Sequence, residues 1–192
     1  MSTAFRFPLA IGVLGASLLA TPARADDNML RGPHPFLKGN ELSVHVMLAK
    51  GGDATPGGTK LALDYGYKLR APVWLDLALG YQRSTCHSQS GSAVCSQPTG
   101  DIFETLAGIK LKWPTAIPVV PYVKGTAGFA FEFPETGSNG WGIAARFAGG
   151  ANYFFFDWLG LGVELGVSFG YLSTPEPHYS VLDFGGGLEF QF

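Results

Sequence analysis

The sequence predicts an all-β fold: an eight-stranded antiparallel up-and-down transmembrane β-barrel. Three observations predict it. Apolar and small residues alternate with a period of two in eight segments, charges keep to one face of each segment, and short and long connections alternate between segments. A helix does not explain the pattern, because its apolar residues would recur at three- and four-residue spacing.

The clearest alternation lies between Leu159 and Tyr171. Every odd position there is large and apolar, whereas the even positions are glycine, serine or glutamate. A period of two is that of a strand whose two faces meet different surroundings. Each segment is also near the ~9–11 residues that a tilted membrane strand needs. The other predicted strands are residues 41–49, 60–70, 73–83, 102–113, 121–133, 141–153 and 179–192.

The charged residues of these strands indicate which face meets lipid. Within the strands the large apolar face carries no charge, and both signs of charge share the face of small residues. A soluble barrel is built the other way round, so the small-residue face is predicted to be the interior. The charges there should pair, because an isolated buried charge is costly. The predicted polar network of the lumen consists of Asp64, Lys68, Asp76, Glu104, Lys110, Lys112, Lys124, Glu132, Arg146, Glu164, Asp183 and Glu189.

The connections alternate in length along the chain. Membrane barrels of this kind place short turns on the periplasmic side and longer loops outside, so both termini are predicted to be periplasmic. The short connections are residues 71–72, 113–118 and 153–158, and the longer ones are residues 51–59, 84–101, 134–140 and 172–178.

Aromatic residues gather near the ends of the predicted strands, where their amphipathic rings favour the membrane interface. They are Trp113, Tyr153, Phe154, Phe155, Phe156 and Trp158 at one rim, and Tyr81, Phe131, Phe133, Trp141 and Tyr171 at the other.

The first residues have the pattern of a secretory signal peptide. A single positive charge, Arg6, precedes an apolar stretch that is too short to span a bilayer, and Ala23-Arg24-Ala25 supplies the small residues of a cleavage site. We therefore expect a signal peptide at residues 1–25, a periplasmic lead-in at 26–40 and the barrel at 41–192.

The two cysteines, Cys86 and Cys95, lie in one long polar connection. An exported chain meets an oxidising compartment, so we expect them to form a disulfide. The closed ring is about ten residues, which is worth roughly 2.5–3 kcal/mol in the chain-entropy model. Cys86-His87 with Cys95 would leave a metal one ligand short, so no metal site is predicted.

The C-terminal segment resembles the terminal signature of bacterial outer-membrane barrels. In that signature a glycine is followed by aromatic residues at the third-last and last positions, which are Gly187, Phe190 and Phe192 in this chain. With the strand pattern, the chain resembles the small eight-stranded barrels of the OmpA-domain, OmpX and OmpW type. The resemblance implies a Gram-negative outer membrane, recognition by the barrel-assembly machinery, and contact with outer-membrane lipid and lipopolysaccharide.

The composition and the barrel size limit the function. Lys and Arg number 13 against 15 Asp and Glu, so no basic excess indicates nucleic-acid binding. An eight-stranded barrel is just wide enough for side chains to fill. We therefore expect a monomer with a plugged polar lumen and a structural or surface-interaction role, without enzymatic activity or cofactor. The surface ligand is not predictable, and an OmpW-like narrow channel for small molecules is the first alternative.

A second alternative comes from His178 and Ser180, which share one face at the start of the last strand. His178-Tyr179-Ser180 resembles the His-x-Ser pair of the lipid A deacylase barrels, whose third member is a glutamate. The following residues depart from that family, and no acid is evident on the same face. We expect both residues to be polar groups at headgroup level. His45, on the inner face of the first strand, is predicted to be a satisfied lumen histidine.

Overall fold

The computed structural model describes residues 37–51, 57–84, 100–113, 115, 117–134, 138–173 and 178–192. These residues form eight antiparallel strands in sequence order, and the first strand pairs with the last to close the barrel. The predicted fold class is confirmed. No helix in the described ranges has the length and apolar character to cross a membrane. The strands are β1 (Asn40–Gly51), β2 (Gly58–Arg70), β3 (Val73–Ser84), β4 (Gly100–Lys112), β5 (Val119–Pro134), β6 (Gly140–Phe156), β7 (Leu159–Leu172) and β8 (His178–Gln191).

The largest difference from the predicted bounds is at the end of β6. This strand continues to Phe156, so the turn into β7 is only Asp157-Trp158. The added residues stay in the ladder because Phe154 pairs with Gly160, and the register then shifts before Phe156. A bulge of this kind locally breaks the alternation of faces from which the sequence prediction was made.

The register of the ladders sets how the strands coil. Following paired residues once round the barrel from Glu41 leads back to Gly51, ten residues further along β1. A stagger of this kind requires strands that are tilted to the barrel axis. Residues at one height in the lumen therefore come from different positions along several strands.

The two faces of the wall differ as the alternation predicts. Arg146 and Glu164 are buried inside, whereas their chain neighbours Phe147 and Leu165 are exposed on the outside. The outer wall is formed by large apolar side chains that have no protein to pack against, which is the arrangement of a barrel surrounded by lipid. Closure also leaves no unpaired strand edge in hydrocarbon.

The barrel has two distinct ends. At the terminal end, where β1 begins and β8 finishes, Asn40 and Phe192 exchange two backbone hydrogen bonds of 3.0 Å. The opposite end, with the longer connections, is the loop end. Near the loop end a buried apolar cluster includes Leu172, Tyr179 and Val181.

Candidate functional site in the barrel lumen

Arg146 is the centre of the charge network in the loop-side half of the lumen. Its guanidinium bonds both oxygens of Asp183, with Nη2 at 2.6 Å from Oδ1, and Nη2 also lies 2.8 Å from Glu164 Oε1. The planar guanidinium suits bidentate pairing of this kind. Gly166 makes room for it, since a Cβ there would lie 2.3 Å from Nη2.

Lys60 extends this network towards the loop end. Its ammonium lies 2.5 Å from Glu104 Oε2 and 3.5 Å from Asp183 Oδ2. Tyr179 donates a hydrogen bond of 2.7 Å to the other oxygen of Glu104. Both oxygens of Glu104 are therefore held by groups from different strands.

Lys124 joins the network to the opposite wall. From β5 its ammonium reaches Asp64 Oδ2 on β2 at 2.6 Å and Glu164 Oε2 on β7 at 2.9 Å. Tyr122 donates a further hydrogen bond of 2.7 Å to Glu164. The connected set, the loop-side network, consists of Lys60, Asp64, Glu104, Lys124, Arg146, Glu164 and Asp183.

A second set of ion pairs fills the terminal half of the lumen. Glu41 accepts from Lys110 at 2.7 Å and from Lys112 at 2.5 Å. Lys112 also lies 2.6 Å from Glu189, and Lys110 lies 2.9 Å from Asp76. This terminal-side network consists of Glu41, Asp76, Lys110, Lys112 and Glu189, with Asn152 and Gln191 as further donors to Glu189.

The contacts of both networks cross the lumen. Lys112 on β4 and Glu189 on β8 are four strands apart in the ring of eight, so their ion pair joins opposite walls. Removing one partner of a buried pair generally destabilises a protein by about 3–5 kcal/mol, because the other charge stays unpaired. The networks therefore tie the walls together as well as filling the space.

Aromatic rings lie beside the lysines at the terminal end. Trp74 is buried, with the ammonium groups of Lys68 and Lys112 at 5.5 Å and 5.6 Å from its ring. Phe154 lies 6.0 Å from Lys112, which is cation–π range. Phe154 was expected among the interface aromatics, but its side chain points into the lumen and is 2% exposed. Its inner-face position follows from its pairing with Gly160, two residues after the inward-facing Asn152.

Comparison with known proteins gives the fold class independently of these contacts. No protein-family model matches the chain, and no curated protein matches it in sequence. Neisserial surface protein A superposes with a TM-score of 0.63 at 14% identity, over 80% of this chain and 97% of that one. The outer membrane protein AlkL, solved in lipid bilayers, gives a TM-score of 0.50 at 13% identity, over 82% and 92% of the two chains.

The chain has the fold of the small eight-stranded outer-membrane barrels. At these identities the likeness shows the fold alone.

Ten of the twelve residues predicted for the lumen lie in the two networks. Lys68 differs: it donates to the Leu37 carbonyl oxygen at 3.1 Å, and no carboxylate in the described ranges pairs with it. Lys68 lies next to the β2–β3 turn at the terminal end, whereas the paired acids lie deeper in the lumen. Glu132 is half-buried on β5 near the loop end.

Sequence reasoning missed Glu41 and Lys60, which are central to the two networks. Both lie at the ends of predicted strands, where charges are usually exposed. Their position in the alternation was the available signal, since Glu41 is an even number of residues from His45 and Lys60 from Asp64. Residues at these spacings share a face of a strand.

His45 is less completely satisfied than the sequence predicted. Its Nε2 lies 3.7 Å from Asp64 Oδ2, and Nδ1 has no hydrogen-bond partner among the described residues. His45, Asp64 and Glu164 each offer a ligand atom, and these atoms lie within 4.8 Å of one another. No metal site was predicted here, because the three residues come from three different strands.

His178 and Ser180 lie on the outer face of β8 near the loop end. They pair with Tyr171 and Phe169 of β7, and the His178 ring meets the edge of Tyr171 at a centroid distance of 5.4 Å. No hydrogen bond or ion pair joins either residue to an acid within the described part of the chain.

The C-terminal signature residues lie at the closing seam. A side chain would not fit at Gly187, since a Cβ there would lie 2.1 Å from the Val44 carbonyl oxygen. Phe190 stacks on Trp158 at 6.4 Å, and Phe192 bonds to the start of β1. The other predicted features, residues 1–25 and the Cys86–Cys95 pair, lie outside the described residues.

Proposed function

We propose that this protein is an integral outer-membrane barrel with a plugged polar lumen and a structural or surface-interaction role. In this proposal residues 1–25 direct export and both termini face the periplasm. The observation that carries the proposal is the pair of ion-pair networks that cross the lumen from wall to wall.

The networks argue against a channel. Long side chains such as Lys112 and Lys60 are almost completely buried within the barrel, so they occupy the space that a water path would need. An apolar molecule would have to separate buried ion pairs, and each unpaired charge in such a place costs several kcal/mol. An OmpW-like conduit for small apolar molecules is therefore less well supported than a plug.

Among the described residues, the outer-face position of His178 and Ser180 is the feature that favours a lipid-modifying enzyme. A serine nucleophile needs a base that is itself held by a third group, and the contact found for His178 is an aromatic edge. Mass spectrometry of lipid A from cells with and without the protein tests this alternative. We expect the same acyl pattern in both, and a lost acyl chain that depends on Ser180 would contradict a non-enzymatic role.

Planar bilayer recording tests the plug. The refolded mature barrel is expected to give no steady conductance steps. The double variant Lys112→Ala, Arg146→Ala removes one cation from each network and is expected to conduct if it folds. Arg70→Ala, at an exposed position, serves as the matched control and should be as silent as the wild type.

Steady conductance from the wild-type barrel would overturn the proposal. Folding of every variant is checked by circular dichroism and by the heat-dependent gel migration of the barrel. The wild-type result does not depend on whether the double variant folds.

A further inference from the structure

Polar residues form a continuous row on the outer face of the barrel at its loop end. Lys50 lies near the end of β1, and its diagonal neighbours across the two adjoining ladders are Thr59 on β2 and Ser180 on β8. Arg83 on β3 pairs directly with Thr59. All four side chains are exposed on the face that carries the apolar wall. The polar row consists of Ser180, Lys50, Thr59 and Arg83.

The register places the polar row at one depth in the membrane. Because the stagger is ten residues over eight ladders, each paired residue lies about 1.25 residues nearer the loop end than its partner on the strand before. Arg83 is connected through Thr59 to Leu48, so two ladders bring it within about one residue of the level of Lys50. The same correction brings Ser180 within about one residue of that level.

The length of the apolar face of β1 sets this depth. Between Asn40 and Lys50, which both lie on the outward face, the outward side chains are leucine and valine only. Ten residues of a strand tilted by about 40° rise roughly 25 Å along the barrel axis, and the apolar band of a membrane barrel is about 25 Å tall. With Asn40 at one membrane interface, the polar row lies at headgroup level at the other.

The opposite side of the barrel is apolar at the same level. Phe129, Ile143 and Phe169, on β5, β6 and β7, are exposed there, and the outward face continues towards the loop end with Trp141 and Tyr171. Within the described residues, these three strands carry no charge on their outward face. The polar row is therefore confined to one sector of the rim, formed by β8, β1, β2 and β3.

The charges of this sector indicate an anionic partner. No carboxylate in the described ranges forms an ion pair with Lys50. Asp101 lies across the β3–β4 ladder from Arg83 and accepts a hydrogen bond from the Tyr81 hydroxyl, so it borders the row on the β4 side. The row itself presents two cations and two hydroxyl groups. Guanidinium, ammonium and hydroxyl groups are donors that bind phosphate oxygens.

This inference rests on the proposed function, in which the loop end faces outwards: we propose that the polar row binds the phosphate of a lipid headgroup in the outer leaflet. Lys50 and Arg83 lie two strands apart, about 10 Å at the usual strand spacing, so both long side chains reach a phosphate placed over Thr59. The acyl chains of the same lipid then cover the leucine and valine face of β1. A free phosphate ion would leave that face uncovered, so the lipid is the better match.

Native mass spectrometry of the mature barrel in detergent tests the polar row. Lipid A is titrated against the same lipid with its phosphates removed, and we expect the phosphorylated form to bind about tenfold more tightly or better. In the double variant Lys50→Gln, Arg83→Gln this preference should fall to about twofold or less. The double variant Lys38→Gln, Arg70→Gln removes the same charge at the terminal end and should keep the wild-type preference.

Equal affinity of the wild type for the two lipids would overturn the proposal. An equal loss of preference in the terminal-end variant would also overturn it, because net charge rather than the polar row would then select the lipid. Inorganic phosphate in large excess should not displace the lipid, and displacement would contradict a lipid site. Folding of each variant is checked by heat-dependent gel migration. Lipid binding is measured independently of conductance, so a negative result leaves the plugged lumen standing.

The orientation of the barrel is tested separately. An Asn139→Cys variant, with the cysteine at an exposed position near the loop end, is treated in intact cells with a membrane-impermeant maleimide. We expect labelling above the wild-type level. Labelling no higher than that of the wild type would overturn the placement of the polar row in the outer leaflet, whatever its affinity for phosphate in detergent.

Discussion

The inner and outer faces of this barrel are made by the same strands, yet they meet different physical demands. On β7, Glu164 is held by Arg146, Lys124 and Tyr122, while Leu165 beside it is 53% exposed on the outer face. The contribution of an inner residue to stability depends on which side chain it meets in the lumen. The contribution of an outer residue depends only on its being apolar. The inner face should therefore be sensitive to nearly every substitution, and the outer face mainly to charge.

The largest effect is expected from Arg146→Met. Methionine fills similar space, but Asp183 and Glu164 then lose their shared cation. We expect a loss of about 3–5 kcal/mol in the free energy of unfolding, measured by urea titration in lipid vesicles. Arg70→Met, at an exposed position, should change it by less than about 0.5 kcal/mol. Equal losses in the two variants would contradict the distinction between the faces.

The next effect is expected from a charge on the outer face. Leu165→Arg places a cation midway along β7, where it meets the hydrocarbon, and should lower the free energy of unfolding by about 2–4 kcal/mol. Leu165→Phe keeps the position apolar and should change it by less than about 0.5 kcal/mol. If the two variants had the same free energy of unfolding in these vesicles, the outer wall would not face lipid.

A smaller effect is expected from adding one methyl group to each face. A Cβ at Gly108 would lie 2.0 Å from the Gly125 carbonyl oxygen, whereas a Cβ at Gly149 has nothing nearer than 3.6 Å. Gly108→Ala should therefore cost about 1–3 kcal/mol. Gly149→Ala should be within about 0.5 kcal/mol of wild type. The same urea titration measures both variants. Similar losses of unfolding free energy would show that the inner face is packed no more tightly than the outer face.

The sequence was sufficient to predict which face each strand residue occupies. Alternation places Asp64, Lys124 and Arg146 inside without any knowledge of their partners, because a period of two is a local property. Phe154 follows the same alternation, since it lies two residues after the inward-facing Asn152, and it was assigned to the rim because the predicted strand ended at residue 153. Local pattern therefore predicts the fold class and most of the lumen.

The pairing inside the lumen was not predictable from the sequence. Lys124 meets Asp64 because the walls are offset by ten residues over one circuit of the barrel. That offset is a sum over all eight ladders, and no single segment encodes it. The grouping of His45 with Asp64 and Glu164 arises in the same way. A cluster assembled from three strands becomes visible only when the register is known.

The smallest effect is expected where an ion pair lies in water. Lys38 and Asp157 approach to 3.5 Å at the terminal end, with side chains 34% and 55% exposed. Asp157→Asn should cost about 0–1 kcal/mol, and raising the salt concentration should abolish the difference from wild type. The loss in Arg146→Met should persist at the same salt concentration, because buried charges are screened much less. If the loss of unfolding free energy in Arg146→Met disappeared at high salt, solvent ions would have to reach the lumen. The distinction between the solvent-exposed ion pair and the buried networks would then be wrong.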